Sequence, residues 1–95
     1  MNKKNKLLIS GVVQGVSFRY HAHEKAVQLG LSGWIQNLAN GRVELVLSGS
    51  TKAVESMIQW AHTGPPLAKV ENIELTVFQD EILDKEFVIK RDGGK

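Results

Sequence analysis

Residues 6–29 read KLLISGVVQGVSFRYHAHEKAVQL, and their hydrophobic period changes half-way along. From 6 to 13, apolar side chains fall on both faces of an extended chain. Leu7, Ile9 and Val13 lie on one face, Leu8 and Val12 on the other. Such a run predicts a central strand covered on both sides. Gly11 and Gly15 then interrupt it. From 18 to 29, Phe18, Ala22, Ala26 and Leu29 recur at helical spacing and make one face of a helix. Ser17 is placed to be its N-cap, and Gly30 to be the left-handed residue just past its end. A strand, a glycine-containing loop and a helix N-terminus therefore follow one another.

Downstream, residues 31–38 and 42–48 read as two strands around Asn40-Gly41. Asn-Gly is a strong hairpin signal because both residues tolerate positive φ. A second helix is predicted over 52–62, with Val54, Met57, Ile58 and Ala61 on one face and Ser50 or Thr51 as cap. Gly64-Pro65-Pro66 ends it. A strand over 69–78, with Ile73, Leu75 and Val77 alternating, and a short strand at Phe87-Val88-Ile89 complete the chain. The order predicts an α+β fold. It is a ferredoxin-like βαββαβ sandwich, with an antiparallel sheet, both helices on one face and a short extra C-terminal strand.

At 95 residues the chain is expected to form a single domain over 1–95. It has no cysteine, which excludes disulfides, thiolate metal sites and cysteine nucleophiles, and fits a cytoplasmic location. No apolar run approaches the roughly 18 residues of a membrane span. Lys3, Lys4 and Lys6 before an apolar stretch resemble a signal peptide only faintly, since no small-residue cleavage site follows. The net charge of +2 and pI of about 9.0 invite a nucleic-acid reading. However, six of the twelve basic residues lie at the chain ends. Between 7 and 89 there are six basic and nine acidic residues, so the body is mildly acidic and the basicity reads as belonging to tails.

The chemistry concentrates in Gly11-Val12-Val13-Gln14-Gly15-Val16-Ser17-Phe18-Arg19. Helix N-termini expose unpaired N–H groups and attract anions. Gly15 allows a tight turn, successive N–H groups can form a concave nest, and Arg19 adds a planar fork suited to a phosphoryl group. The loop is neither a Walker A sequence nor a dinucleotide fingerprint. Spacing alone leaves a plain tight turn with a solvated arginine equally open. Asn37, ending a mostly apolar strand before the hairpin, reads either as a turn residue or as a site amide that holds water.

The loop resembles the acylphosphatase signature Gly-x-Val-Gln-Gly-Val-x-Phe-Arg, matched at Gly11, Val13, Gln14, Gly15, Val16, Phe18 and Arg19. Gly33-Trp34-Ile35-Gln36-Asn37 is similar to the family's Gly-x-Val-x-Asn stretch, with isoleucine for valine. Gly64-Pro65-Pro66-Leu67-Ala68-Lys69-Val70 resembles the family's segment before its fourth strand. The resemblance implies a hydrolase of small acyl phosphates that needs no metal or other cofactor; at 95 residues a free-standing form is expected, and monomer is the expected state of so small an enzyme. It implies that the amides of Gly15, Val16, Ser17, Phe18 and Arg19, with the Arg19 side chain, bind the phosphoryl oxygens. Asn37 would position the attacking water, and inorganic phosphate would be both product and competing ligand. An anion-binding regulatory module that keeps the loop without turnover is the alternative from another class. His21 and His23 point apart on a helix and His62 lies on another, so no histidine metal site is expected. Asp80 to Glu86 lacks the ligand spacing of a calcium loop and reads as a solvated connection. Trp34, Trp60, Phe78 and Phe87 read as packing residues. An RNA-binding sheet is disfavoured, because the aromatic RNP1 pattern is missing from 42–48, where Glu44 stands.

Overall fold

A computed structural model describes residues 1–83 and 85–91 of the chain. Its elements are β1 (Asn2–Val12), α1 (Phe18–Gln28), β2 (Ser32–Asn37), β3 (Val43–Ser50), α2 (Thr51–Thr63), β4 (Lys69–Val77) and β5 (Phe87–Ile89). The strands form one sheet in the order β4-β1-β3-β2-β5. Leu7 and Ile9 of β1 stand opposite Leu45 and Val43 of β3, and opposite Leu75 and Ile73 of β4. Directly opposed residues share a face, so these pairs build one apolar surface. Phe18, Ala22 and Ala26 of α1 and Val54, Met57 and Ala61 of α2 are buried in the same core.

Three expectations need correction. β1 is covered on one face only: Leu7 and Ile9 are fully buried, while Val12 is 50% exposed. With both helices on one face, the other carries no second layer among the described residues, where Phe78 meets Trp34 edge-on at 5.4 Å. The sheet is mixed rather than antiparallel, because β5 runs parallel to β2. β4 ends at one edge, and the connection after it crosses to the opposite edge at the same end of the sheet. Nine linking residues extend up to about 30 Å, enough to pass four strand spacings of about 4.8 Å. On the way Lys4 Nζ donates to Asp80 O (2.8 Å) and Ser32 Oγ to Lys85 O (2.9 Å). The basic N-terminus is no tail: β1 starts at Asn2, and Lys3 pairs with Glu55 at 3.5 Å.

The hairpin forms where Asn40-Gly41 predicts it, with a different turn. Only Gly41 has positive φ (90°). Gly41 N–H donates to Leu38 O (3.1 Å), and Leu38 N–H to Arg42 O (2.8 Å). That is a three-residue loop closed by a left-handed glycine. Asn40 contributes its side chain instead, accepting from Arg42 N–H at 3.0 Å. Elsewhere the signals hold. Ser50 Oγ accepts from Ala53 N–H at 3.2 Å as the cap of α2, and Gly30 is left-handed (φ 72°) after α1. Asp84, within the predicted acidic connection, and residues 92–95 lie outside the described residues.

β1, β2 and β5 all run the same way, so their C-terminal ends lie at one end of the sheet. That end carries the glycine loop, Asn37 and Arg91.

Candidate active site

The loop between β1 and α1 is shaped by the side chains it buries. Val13 and Phe18 are buried, and Val16 packs against the core. Phe18 meets Trp60 edge-on at 5.4 Å. With 13, 16 and 18 held inward, Gly15 and Ser17 are left at the surface with left-handed backbones, φ 75° and 62°. Alternation of this kind turns successive N–H groups toward one concave side, a nest for an anion.

Ser17 corrects the sequence reading. It precedes α1 as predicted, but its side chain makes no capping bond. A cap residue has extended backbone, whereas Ser17 is the one non-glycine residue with positive φ among those described. Its role is conformational. The first bond of the helix runs from His21 N–H to Ser17 O at 3.1 Å. The N–H groups of Phe18, Arg19 and Tyr20 therefore precede the helical ladder. The first turn contains no acidic residue, so no carboxylate of its own competes for the positive end of the dipole.

Asn37 is the last residue of β2 and pairs through its backbone with Val43. Its side chain is buried, and its Oδ1 has no hydrogen-bond partner. A buried acceptor left alone costs about 1–3 kcal/mol, so its retention calls for an explanation. Asn37 lines a cavity of about 360 Å³ together with Gly15, Ser17, Arg19, Tyr20 and Arg91. The lining side chains of the described residues include Arg19, Lys90 and Arg91 and no carboxylate. Lys90 Nζ itself lies 3.9 Å from the centre of the Trp34 ring, so its charge is drawn toward the open face of the sheet.

Gln14 joins the two halves of the site. Its Nε2 donates to Leu38 O and Arg42 O, both at 2.9 Å. The nest is thereby tied to the hairpin that follows Asn37.

A family model for acylphosphatase matches residues 5–89. The chain belongs to the acylphosphatase family. An acylphosphatase of Rubrobacter xylanophilus is 48% identical over 73 residues, which are 77% of this chain and 66% of that protein. One from Methylococcus capsulatus is 41% identical over 90 residues, 95% of this chain and 98% of the relative. The solved structure of an acylphosphatase from Coxiella burnetii superposes with a TM-score of 0.87 at 35% identity, covering 94% of this chain and 93% of that one. Enzymatic hydrolysis of acyl phosphates follows from the membership.

Of the residues to which the family resemblance gives a role, Gly15, Ser17, Phe18, Arg19 and Asn37 line one cavity, and Val16 anchors the loop behind it. Three contributors to this candidate site are not legible in the sequence. Gln14 is visible in the sequence only as a match to the signature, because its partners lie 24 and 28 residues away. Ile89 and Arg91 reach the cavity through the parallel pairing of β5, which a three-residue strand does not advertise. The histidines sit apart. His21 and His62 each contact a carbonyl of their own helix region, and His23 lies 6.1 Å from the Phe87 ring.

Proposed function

We propose that this enzyme hydrolyses small acyl phosphates without a metal, using the amides of residues 15–19, the Arg19 guanidinium and Asn37. The observation that carries the reading is that Asn37 lines the same cavity as the nest residues Gly15, Ser17, Phe18 and Arg19. In this reading the phosphoryl oxygens accept from the amides of Gly15, Val16, Ser17, Phe18 and Arg19, and from the fork of Arg19. The Asn37 side-chain amide holds the attacking water, leaving one of the water's lone pairs turned toward phosphorus. As the new P–O bond forms, the bond from phosphorus to the acyl oxygen breaks. Its electron pair leaves with the carboxylate, and the proton of the attacking water passes to a phosphoryl oxygen. Phosphoryl transfer asks mainly for positioning and for neutralising charge on the equatorial oxygens. A carboxylate leaves readily, so no strong general acid is needed. The donors offered are N–H groups and a guanidinium, which suit an anion directly and are no ligands for a cation.

The same geometry makes inorganic phosphate a competitor. We take the enzyme to act as a monomer in the cytoplasm, since one chain supplies every group of the cradle and no cysteine calls for an oxidising compartment. The test is benzoyl phosphate hydrolysis with and without a chelator. Equal acceleration in both is expected; loss of activity on chelation would overturn the metal-free reading.

A further inference from the structure

We propose that His21 is a positioning residue for the nest, acting through the carbonyl of Ser17. The inference rests on the phosphate-binding reading of that nest. His21 Nδ1 lies 2.8 Å from Ser17 O. A carbonyl oxygen only accepts, so Nδ1 carries the hydrogen. The same oxygen accepts from the His21 backbone N–H at 3.1 Å. Two donors from one residue, a turn further along, therefore hold the Ser17 carbonyl along the helix.

The peptide plane converts this into function. The Ser17 C=O and the Phe18 N–H belong to one planar trans unit and point in opposite directions. Fixing the carbonyl toward His21 aims the Phe18 N–H out of the helix end. Ser17 needs such a clamp because serine in the left-handed region (φ 62°, ψ 24°) is disfavoured over ordinary backbone conformations. Glycine there would not need it, since glycine takes either sign of φ readily.

The protein carries its own control. His62 Nδ1 makes the same contact with Ile58 O at 3.0 Å within α2, where no left-handed residue is held. His62→Phe is expected to leave phosphate affinity unchanged. His21→Phe keeps a ring beside Tyr20, whose centroid is 5.6 Å away, and removes the donor. His21→Asn keeps a donor at the position of Nδ1.

The experiment measures inorganic phosphate binding through the amide resonances of the loop, alongside kcat and KM for benzoyl phosphate. His21→Phe should weaken phosphate binding about fivefold, the worth of one net hydrogen bond, and raise KM more than it lowers kcat. His21→Asn should stay within about twofold of wild type. In a Ser17→Gly background the effect of His21→Phe should shrink to under about twofold. Equal effects of His21→Phe in both backgrounds, or none in wild type, would overturn the proposal. Wild-type protein that binds no phosphate would overturn the site reading itself, and this inference with it.

Discussion

Replacing Gln14 with methionine removes the tether between the nest and the Asn37 hairpin while keeping most of the side-chain volume. Two hydrogen bonds are lost, to Leu38 O and Arg42 O. Neither carbonyl is orphaned. Leu38 O still accepts from Gly41 N–H and Arg42 O from Leu38 N–H. The cost is therefore two net bonds without an added desolvation penalty, about 1–2 kcal/mol. For a domain of this size that is a fall in Tm of about 5–15 °C. The kinetic effect should be distinct from the loss of stability. Well below the new Tm, phosphate binding changes little because the nest is intact, but kcat falls because Asn37 no longer sits at a set distance from the bound phosphoryl group. A drop of about tenfold is expected, since small misplacements of a reacting group are costly. Thermal denaturation and benzoyl phosphate kinetics at 20–25 °C, a range chosen for distance from Tm, decide the matter. A lowered Tm with wild-type kcat would show that the tether only holds the fold together.

Arg19→Lys keeps a charge and loses the fork, so kcat/KM for benzoyl phosphate should fall by about 10²-fold or more; near-normal kinetics would remove Arg19 from the site. Asn5 is buried in the core with its Oδ1 unpartnered, and its Nδ2 donates to Thr76 O (3.1 Å) on the exposed edge strand. Asn5→Leu should therefore stabilise the protein by about 1–2 kcal/mol, because solvent can replace the lost donor at Thr76. Urea denaturation reads this, and a lower midpoint would refute it.

Where local chemistry decides a structure, the residues announce it. The period change between residues 13 and 18, the Ser50 cap and the left-handed Gly30 are legible for that reason. Ser17 misleads because two demands meet there. Residue type favours a cap, but burial of Val16 and Phe18 on either side forces the backbone left-handed. Packing overrides propensity when the core residues flank the cap. β5 misleads for another reason. Three residues carry too little pattern to name a partner strand, and the parallel pairing with β2 is set by the path of the preceding connection. Arg91 reaches the cavity only through that pairing, so a count of basic residues assigns it to a tail. At the site, the signature loop and Asn37 are legible through the family resemblance, while the Gln14 tether exists only once distant segments meet.

The assignment of water to Asn37 is tested most directly by Asn37→Ala, measured for both phosphate binding and turnover. Deleting an unpartnered buried acceptor relieves its desolvation cost, so the fold should lose little stability or none. The account predicts phosphate binding within about twofold of wild type and kcat lowered by about 10²-fold or more. Weakened phosphate binding with kcat preserved would contradict it, and would place Asn37 among the phosphate ligands instead.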